Sequence, residues 1–233
     1  MPKPIRKQTT RLSNNVIVYD LETGGADPFS TEPIEIGAIV VDINTMTPKE
    51  NGVFGPTLIK PTDFKLVKDE ALAKNGIKRE ELEGAPDQEV VFHQFKDFCR
   101  MFQKSDSKWD AMISAGKNIK SFDNIIMTLL CKKYGYVDKD GSQKLFHPIH
   151  SFDLEDINRL WFHNTSEGPR GYSMEAICSY LGVVNNNAHR AMSDVETTLL
   201  ILKRFLEFQR KLNVRYVSKF ENAFGNNKTK NGV

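Results

Sequence analysis

A short apolar run that ends in two acidic residues limits the fold of this chain more than any other feature. Residues 15–19, "NVIVY", are apolar almost throughout, as expected of a central strand that is covered on both faces. Asp20 and Glu22 follow directly. Because side chains alternate between the two faces of a strand, these carboxylates are predicted to point the same way. The segment therefore predicts a buried sheet with an acidic pair at the carboxyl end of a strand, the edge at which open α/β sheets bind ligands.

The segments that follow predict one α/β domain with a mixed sheet flanked by helices. Residues 33–42 and 53–61 are predicted to be the second and third strands, joined by the turn-forming residues 44–52. Hydrophobic spacing and capping residues predict the remaining elements. A fourth strand is predicted at 109–115 and a loop at 136–148. Four helices are predicted over 66–83, from Ser121 to Tyr134, from Ser151 to Phe162 and from Ser173 to Gly182. Two more follow from spaced apolar residues, one along Val91, Phe95, Phe98 and Phe102 and one along Val195, Leu199, Leu202 and Leu206.

Length and charge suggest a single folded body with basic ends. The 233 residues are enough for one well-buried domain, which we place at 16–213, between a flexible basic arm at 1–15 and a basic, partly disordered tail at 214–233. The net charge of +2 conceals an acidic middle, which suits a carboxylate site that attracts a polyanionic substrate. Simple solvated tails explain the basic ends equally well.

Neither a secretory signal nor a membrane span is visible in the sequence. The first residues lack an apolar stretch after their charges, and no run approaches the roughly 18 apolar residues that a span needs. We therefore expect a cytoplasmic location, or a nucleoid or nuclear one, and no membrane partner. Cys99, Cys131 and Cys178 are scattered and odd in number, so they are predicted to be small buried side chains in a reducing compartment.

Two later segments carry residues that could join the first acidic pair. Asp123 lies in the first turn of the helix after the fourth strand, although alone it could be a simple helix-start acid. His189 and Asp194 precede the last apolar helix, where a capping box of Ser193 and Glu196 is a competing explanation. Carboxylate oxygens are the ligands that Mg²⁺ and Mn²⁺ prefer, and a histidine beside them can take a proton from bound water. These residue types together indicate a divalent metal site.

A second D-x-E sequence needs a separate interpretation. Asp153 and Glu155 stand in "SFDLEDI", which is typical of the first turn of a helix. Acidic residues there stabilise the helix dipole. We therefore predict a structural role for this pair rather than a place in the metal site.

The ordered motifs D-x-E, N-x-x-x-F-D and H-x-x-x-x-D resemble those of the DEDDh, or DnaQ-like, 3′–5′ exonucleases of the ribonuclease-H-like fold. The resemblance runs from about residue 15 to residue 208 and includes "DLETGG", "EPIEIGAIVVD", "NGIKREELEGAP", "GYSMEAICSYLGV" and "AHRAMSDVETTLLIL". One departure is the three residues between Asn118 and Phe122, where the DnaQ-like pattern usually has two. That spacing is closer to the exonuclease domain of family-B polymerases.

The resemblance assigns expected roles to individual residues. It implies a ribonuclease-H-like mixed sheet and two Mg²⁺ or Mn²⁺ ions, with Asp20 bridging both ions and His189 acting as the general base. The implied metal ligands are Asp20, Glu22, Asp123 and Asp194, and the implied substrate contacts are Leu21, Thr23, Asn75, Asn118 and Phe122. Asn75 stands where the proofreading enzymes often have a histidine.

The expected reaction is hydrolysis of the terminal phosphodiester from the 3′ end of a nucleic acid, with release of nucleoside 5′-monophosphates. The resemblance favours single-stranded DNA over RNA, and the expected partners are a nucleic-acid 3′ end and a polymerase or other replication protein. Two alternatives remain open at this point. One is an exoribonuclease of the same family, and the other is a non-catalytic nucleic-acid-binding module associated with a polymerase.

Overall fold

A computed structural model of the chain describes residues 13–163, 167–184 and 189–223, with side chains to residue 211. Five strands form one mixed sheet in the order β3-β2-β1-β4-β5. They are β1 (Asn15–Thr23), β2 (Pro33–Asp42), β3 (Thr47–Leu58), β4 (Met112–Gly116) and β5 (Phe146–Asp153). The first three strands pair antiparallel, whereas β4 runs parallel to β1 and β5 parallel to β4. The acidic strand β1 is therefore the centre of the sheet.

Helices cover both faces of the sheet. In chain order they are α1 (Asp69–Asn75), α2 (Arg79–Glu83), α3 (Gln88–Arg100), α4 (Asp123–Lys133), α5 (Leu154–Phe162), α6 (Met174–Leu181) and α7 (Ala191–Ala223). The face that carries Ile17 and Tyr19 of β1 packs on α3 and α4, and the face that carries Val16 and Val18 packs on α5, α6 and α7. By the same alternation, Asp20 and Glu22 lie on the side of the sheet that α7 covers.

The predicted single-domain α/β fold with a mixed sheet flanked by helices is confirmed, as is the burial of the three cysteines. Ser173 also begins α6 as predicted, since its Oγ accepts the Ala176 N–H at 3.2 Å, and the helix ends before Gly182 in the left-handed conformation. No helix among the described residues has both the length and the apolarity that a membrane span requires.

Several predicted boundaries are wrong. β3 begins at Thr47, inside the predicted turn, because its first residues pair with β2. The strand β5 was missed altogether, and the predicted helix cap Ser151 lies within it, paired with Ser114. Pairing with β4 overrides the weak local pattern around Pro148. Asp153, not Ser151, caps α5.

One further boundary, the start of α4, also differs from the prediction. Helix α4 begins at Asp123, after Phe122 and without a side-chain cap, so Ser121 does not cap it. The predicted domain end at 213 falls inside α7, which continues to Ala223. The predicted arm lies outside the described residues except for residues 13–15, and the predicted tail lies outside them from residue 224.

Candidate active site

Three carboxylates meet at the carboxyl end of β1. Oxygen atoms of Asp20, Glu22 and Asp194 all lie within 4.8 Å of one another. The first two share one face of β1, and the third projects from the first turn of α7, which packs against that face. Two elements that are far apart in sequence therefore build one cluster of oxygen ligands.

Burial and mutual repulsion raise the pKa values of the two β1 carboxylates, Asp20 and Glu22. Burial raises the pKa of Asp20 well above its ordinary value, and the charges of Asp123 and Glu22 raise it further. Burial and then the charge of Asp194 raise the pKa of Glu22 to about 7, although Lys74 opposes the rise. Acidic oxygens packed this closely are unfavourable together unless protons or a cation neutralise them. The donor set, made only of carboxylate oxygens, fits a hard divalent ion such as Mg²⁺ or Mn²⁺.

Asp123 borders this cluster but is not one of the three grouped residues. Its Oδ1 accepts the backbone N–H of Leu21 at 3.0 Å, and the side chain is buried. Burial raises its pKa to about 7, and the hydrogen bond from Leu21 opposes that rise. Among the neighbouring charges that raise the pKa of Asp20, that of Asp123 is the largest. The fourth predicted ligand therefore lies next to the other three while also fixing the end of β1.

His189 lines the same cleft from the segment just before α7. Its backbone is in the left-handed region, with φ of 66°, and its N–H donates to Oδ2 of Asp194 at 3.1 Å. The next residue, Arg190, forms an ion pair with Glu35 of β2. The structure thus brings the predicted base and the predicted ligands to one place.

The cleft around the carboxylates has a volume of about 510 Å³. Four of the five predicted substrate residues line it, namely Leu21, Thr23, Asn75 and Phe122. The side chain of Asn75 donates to the Thr23 carbonyl at 3.3 Å, and Phe122 packs its inner face on the core. The ring of Phe122 is partly exposed to the cleft, where a flat apolar surface can support a base or sugar.

Asn118 is the predicted substrate residue that does not line the cleft. It is exposed in the β4–α4 connection with φ of 56°, and its N–H donates to Oδ1 of Asp153 at 2.9 Å. Asp153 also accepts the N–H groups of Lys120 and Glu155. The second D-x-E therefore starts α5 and orders a loop, which confirms its predicted structural role.

Sequence reasoning missed five charged residues around the cleft. Lys68, Glu70 and Lys74 line it, and the charge of the two lysines suits a polyanion that approaches three carboxylates. Their positions at α1 give no signal in the sequence. Glu35 and Arg190 tie β2 to the segment that carries His189. Glu35 had a signal, because it is an acid within the otherwise apolar strand "PIEIGAIVVD".

The site combines carboxylates at the end of the central strand of a mixed sheet with a histidine beside them and lysines on the cleft wall. This combination is typical of nucleases of the ribonuclease-H-like fold. Comparison with family models gives the same class. Residues 17–202 match the RNase_T model, described as exonuclease. The chain belongs to this exonuclease family, of the DEDDh or DnaQ-like type, so the predicted family and enzyme class are confirmed.

Curated relatives and solved structures give more distant similarities. The chain is 26% identical over 206 residues to the PolC-type DNA polymerase III of Thermotoga petrophila, which covers 88% of this chain but 13% of that protein. It is 24% identical over 209 residues to the DNA polymerase III subunit epsilon of Aquifex aeolicus, covering 88% of this chain and 87% of that one. E. coli exonuclease I in complex with a dT13 oligonucleotide superposes with a TM-score of 0.61 at 19% identity, over 91% of this chain and 44% of that chain. The last similarity shows the fold alone.

Proposed function

We propose that this chain is a 3′–5′ exonuclease that hydrolyses the terminal phosphodiester of single-stranded DNA and releases nucleoside 5′-monophosphates. The observation that carries the proposal is the convergence of Asp20, Glu22 and Asp194 within 4.8 Å, with His189 lining the same cleft. Membership of the exonuclease family supports it. So do relatives named as DNA polymerase III components and a structural neighbour crystallised with a DNA oligonucleotide.

The carboxylates are proposed to hold two Mg²⁺ or Mn²⁺ ions. Asp20, Glu22, Asp194 and Asp123 would hold them. Asp123 is placed beside these oxygens by the bond from the Leu21 N–H to its Oδ1. Bound divalent ions supply charge neutralisation for the attacking and leaving oxygens.

His189 is proposed to take the proton from the attacking water. The segment that carries it is fixed at the cleft by the bond from its N–H to Asp194. Proton transfer by a positioned side chain contributes typically about 10²–10⁴-fold to a rate.

Substrate is proposed to enter with its 3′ end toward the carboxylates. Lys68 and Lys74 on the cleft wall would attract phosphates and steer the strand. Leu21 and Phe122 would pack against the last base or sugar, and Thr23 would contact the terminal sugar. A recessed site of this kind suits an unpaired strand, because unpaired bases can stack on an aromatic ring. A DNA polymerase is the proposed partner, since two relatives are named as polymerase III components.

Digestion of end-labelled strands tests the proposal. Matched 5′-labelled single-stranded DNA, single-stranded RNA and recessed duplex are incubated with Mg²⁺ or Mn²⁺, and the product ladders are compared. We expect a ladder that shortens from the 3′ end, fastest on single-stranded DNA. Faster digestion of the RNA strand would assign the activity to an exoribonuclease, and internal cuts or release of the 5′ label as a mononucleotide would contradict the proposed polarity.

A matched pair of variants distinguishes the site from a contaminating nuclease. Asp20→Asn removes one charge of the grouped carboxylates, whereas Glu155→Gln removes a charge of the second D-x-E, which pairs with Arg159. We expect the first variant to lose activity in both Mg²⁺ and Mn²⁺ and the second to retain it. Retention of near-wild-type activity by Asp20→Asn would refute the assigned site.

A further inference from the structure

Glu35 is a fully buried carboxylate that the proposed reaction does not use directly. It lies on β2 opposite Glu22 of β1, and its side chain is 0% exposed. A carboxylate in this environment is strongly unfavourable unless it is paired and hydrogen-bonded. The residues that pair with Glu35 therefore show which segment of the chain this buried charge holds in place.

Within the described part of the chain, Glu35 accepts hydrogen bonds from Arg190 and Ala191, which belong to the segment that carries His189. The Arg190 Nε lies 3.1 Å from both Glu35 oxygens, and its Nη2 lies 2.5 Å from Oε1. The N–H of Ala191, the first residue of α7, donates to Oε2 at 2.9 Å. Glu35 thus accepts a hydrogen bond from one of the N–H groups that a helix leaves without a partner at its start. Its negative charge also interacts favourably with the positive end of the helix dipole.

The same junction is tightly packed at the backbone level. A Cβ atom added to Gly37 of β2 would lie 2.9 Å from the Met192 nitrogen and 3.0 Å from the Ala191 carbonyl carbon. Glycine at this position therefore permits the start of α7 to contact β2. Directly before the contact, His189 has φ of 66°, a conformation that costs a non-glycine residue about 1 kcal/mol or more. A strained backbone conformation of this kind persists only where contacts with neighbouring residues hold it in place.

We infer that Glu35 and Arg190 are positioning residues for the proposed exonuclease reaction: their ion pair anchors the backbone of 189–191 to the rigid sheet and so orients His189 toward the cleft. Asp194 depends less on this anchor, because it lies within α7, and the apolar side chains of that helix pack on β1 independently of the ion pair. Loss of the anchor should therefore misplace the general base more than the carboxylate cluster. The inference rests on the proposed function.

Arg190→Lys is the variant that tests the anchor. Lysine retains the charge, so Glu35 is not left unpaired, but it lacks the planar fork that reaches both oxygens. The matched control is Arg210→Lys in α7, the helix that follows Arg190, where Arg210 donates to the carbonyls of Ile43 and Asn44 in the β2–β3 connection. Both variants remove a guanidinium contact to β2 or to the turn that follows it, but only the first lies beside His189.

We expect Arg190→Lys to lower kcat by about 10–100-fold, as a misplaced catalytic group does, with KM and Mn²⁺ affinity nearly unchanged. Arg210→Lys should leave kcat unchanged. In a His189→Ala background, Arg190→Lys should reduce the rate further by less than about twofold, since residues that act as one unit are not additive. An equal loss in both backgrounds, or a change confined to KM or Mn²⁺ affinity, would overturn the inference.

Hydrogen exchange provides a measurement that does not depend on activity. The His189 amide, which donates to Asp194, should exchange at least about tenfold faster in Arg190→Lys than in the wild type or Arg210→Lys. Unchanged protection would refute the anchor even if the enzyme slowed. An inactive wild type would instead refute the proposed function, and this exchange measurement would still decide whether the anchor exists.

Discussion

Replacing Glu22 by glutamine should stabilise the metal-free protein while abolishing its activity. Glu22 is 8% exposed and is one of the three grouped carboxylates. Burial, followed by the negative charge of Asp194, raises its pKa from 4.5 to about 7. Glutamine has nearly the same shape but never carries the charge that this environment opposes. The substitution therefore separates the effect of the Glu22 charge on stability from its effect on activity.

The size and pH dependence of the effect follow from the pKa. A carboxyl group whose folded pKa is raised binds its proton more tightly in the folded state, so its stabilising contribution is fully present below pH 4.5 and is lost as pH rises to about 7. Above that pH the ionised Glu22 costs up to about 3 kcal/mol. For a domain of this size, relief of that cost corresponds to a rise in Tm of about 5–10 °C.

Thermal unfolding in a chelating buffer measures the effect. The Tm of Glu22→Gln should exceed that of the wild type at about pH 8, and the two should converge below pH 4.5, where Glu22 is protonated in both the folded and the unfolded state. Addition of Mn²⁺ at the higher pH should reverse the order, because the wild type gains more binding energy than the variant. A lower Tm for the variant in chelator at high pH, or a difference that does not vary with pH, would refute this assignment of cost to the ionised carboxylate.

Three other substitutions test separate parts of the structure. His189→Ala should retain Mn²⁺ binding in calorimetric titration but lose about 10²–10⁴-fold in rate. Asp153→Ala should lower the free energy of unfolding by about 1–3 kcal/mol in urea titration, because three N–H groups lose their acceptor, while kcat per folded molecule stays within about twofold. Gly37→Ala should lower both Tm and kcat, since the added carbon would lie 2.9 Å from the Met192 nitrogen.

The sequence predicted the elements whose patterns are local and strong. The apolar strands β1 and β2 and the spaced apolar residues of α3 and α7 indicate their own structure, because burial on a sheet or helix imposes a period. Strand β5 has no such pattern, and its conformation depends on pairing with β4 across more than thirty intervening residues. Pairing between distant segments is not visible in a local window, which is why the predicted loop and the Ser151 cap were wrong.

The candidate site divides in a similar way. Asp20 and Glu22 share a face because of their spacing, so their juxtaposition was predictable from the residues alone. The approach of Asp194 and His189 depends on where α7 crosses β2, which Gly37 and Glu35 determine through close contacts. Motif order indicated that these residues belong together, but not how the chain holds them. The lysines of α1 at the cleft carry no pattern that distinguishes them from other exposed lysines.

Asp123 shows why structural and chemical roles in such a site are not separable by sequence. Its Oδ1 fixes the Leu21 N–H between the two β1 carboxylates, and its charge is the neighbouring charge that most raises the pKa of Asp20. A residue that hydrogen-bonds the strand carrying the ligands must lie close to that strand. At this distance the charge of a carboxylate also shifts the pKa values of the other carboxylates. The same acid therefore begins α4, orders the end of β1 and contributes negative charge that a divalent cation would neutralise. Glu155, an acid in the first turn of α5, instead pairs with Arg159 of its own helix.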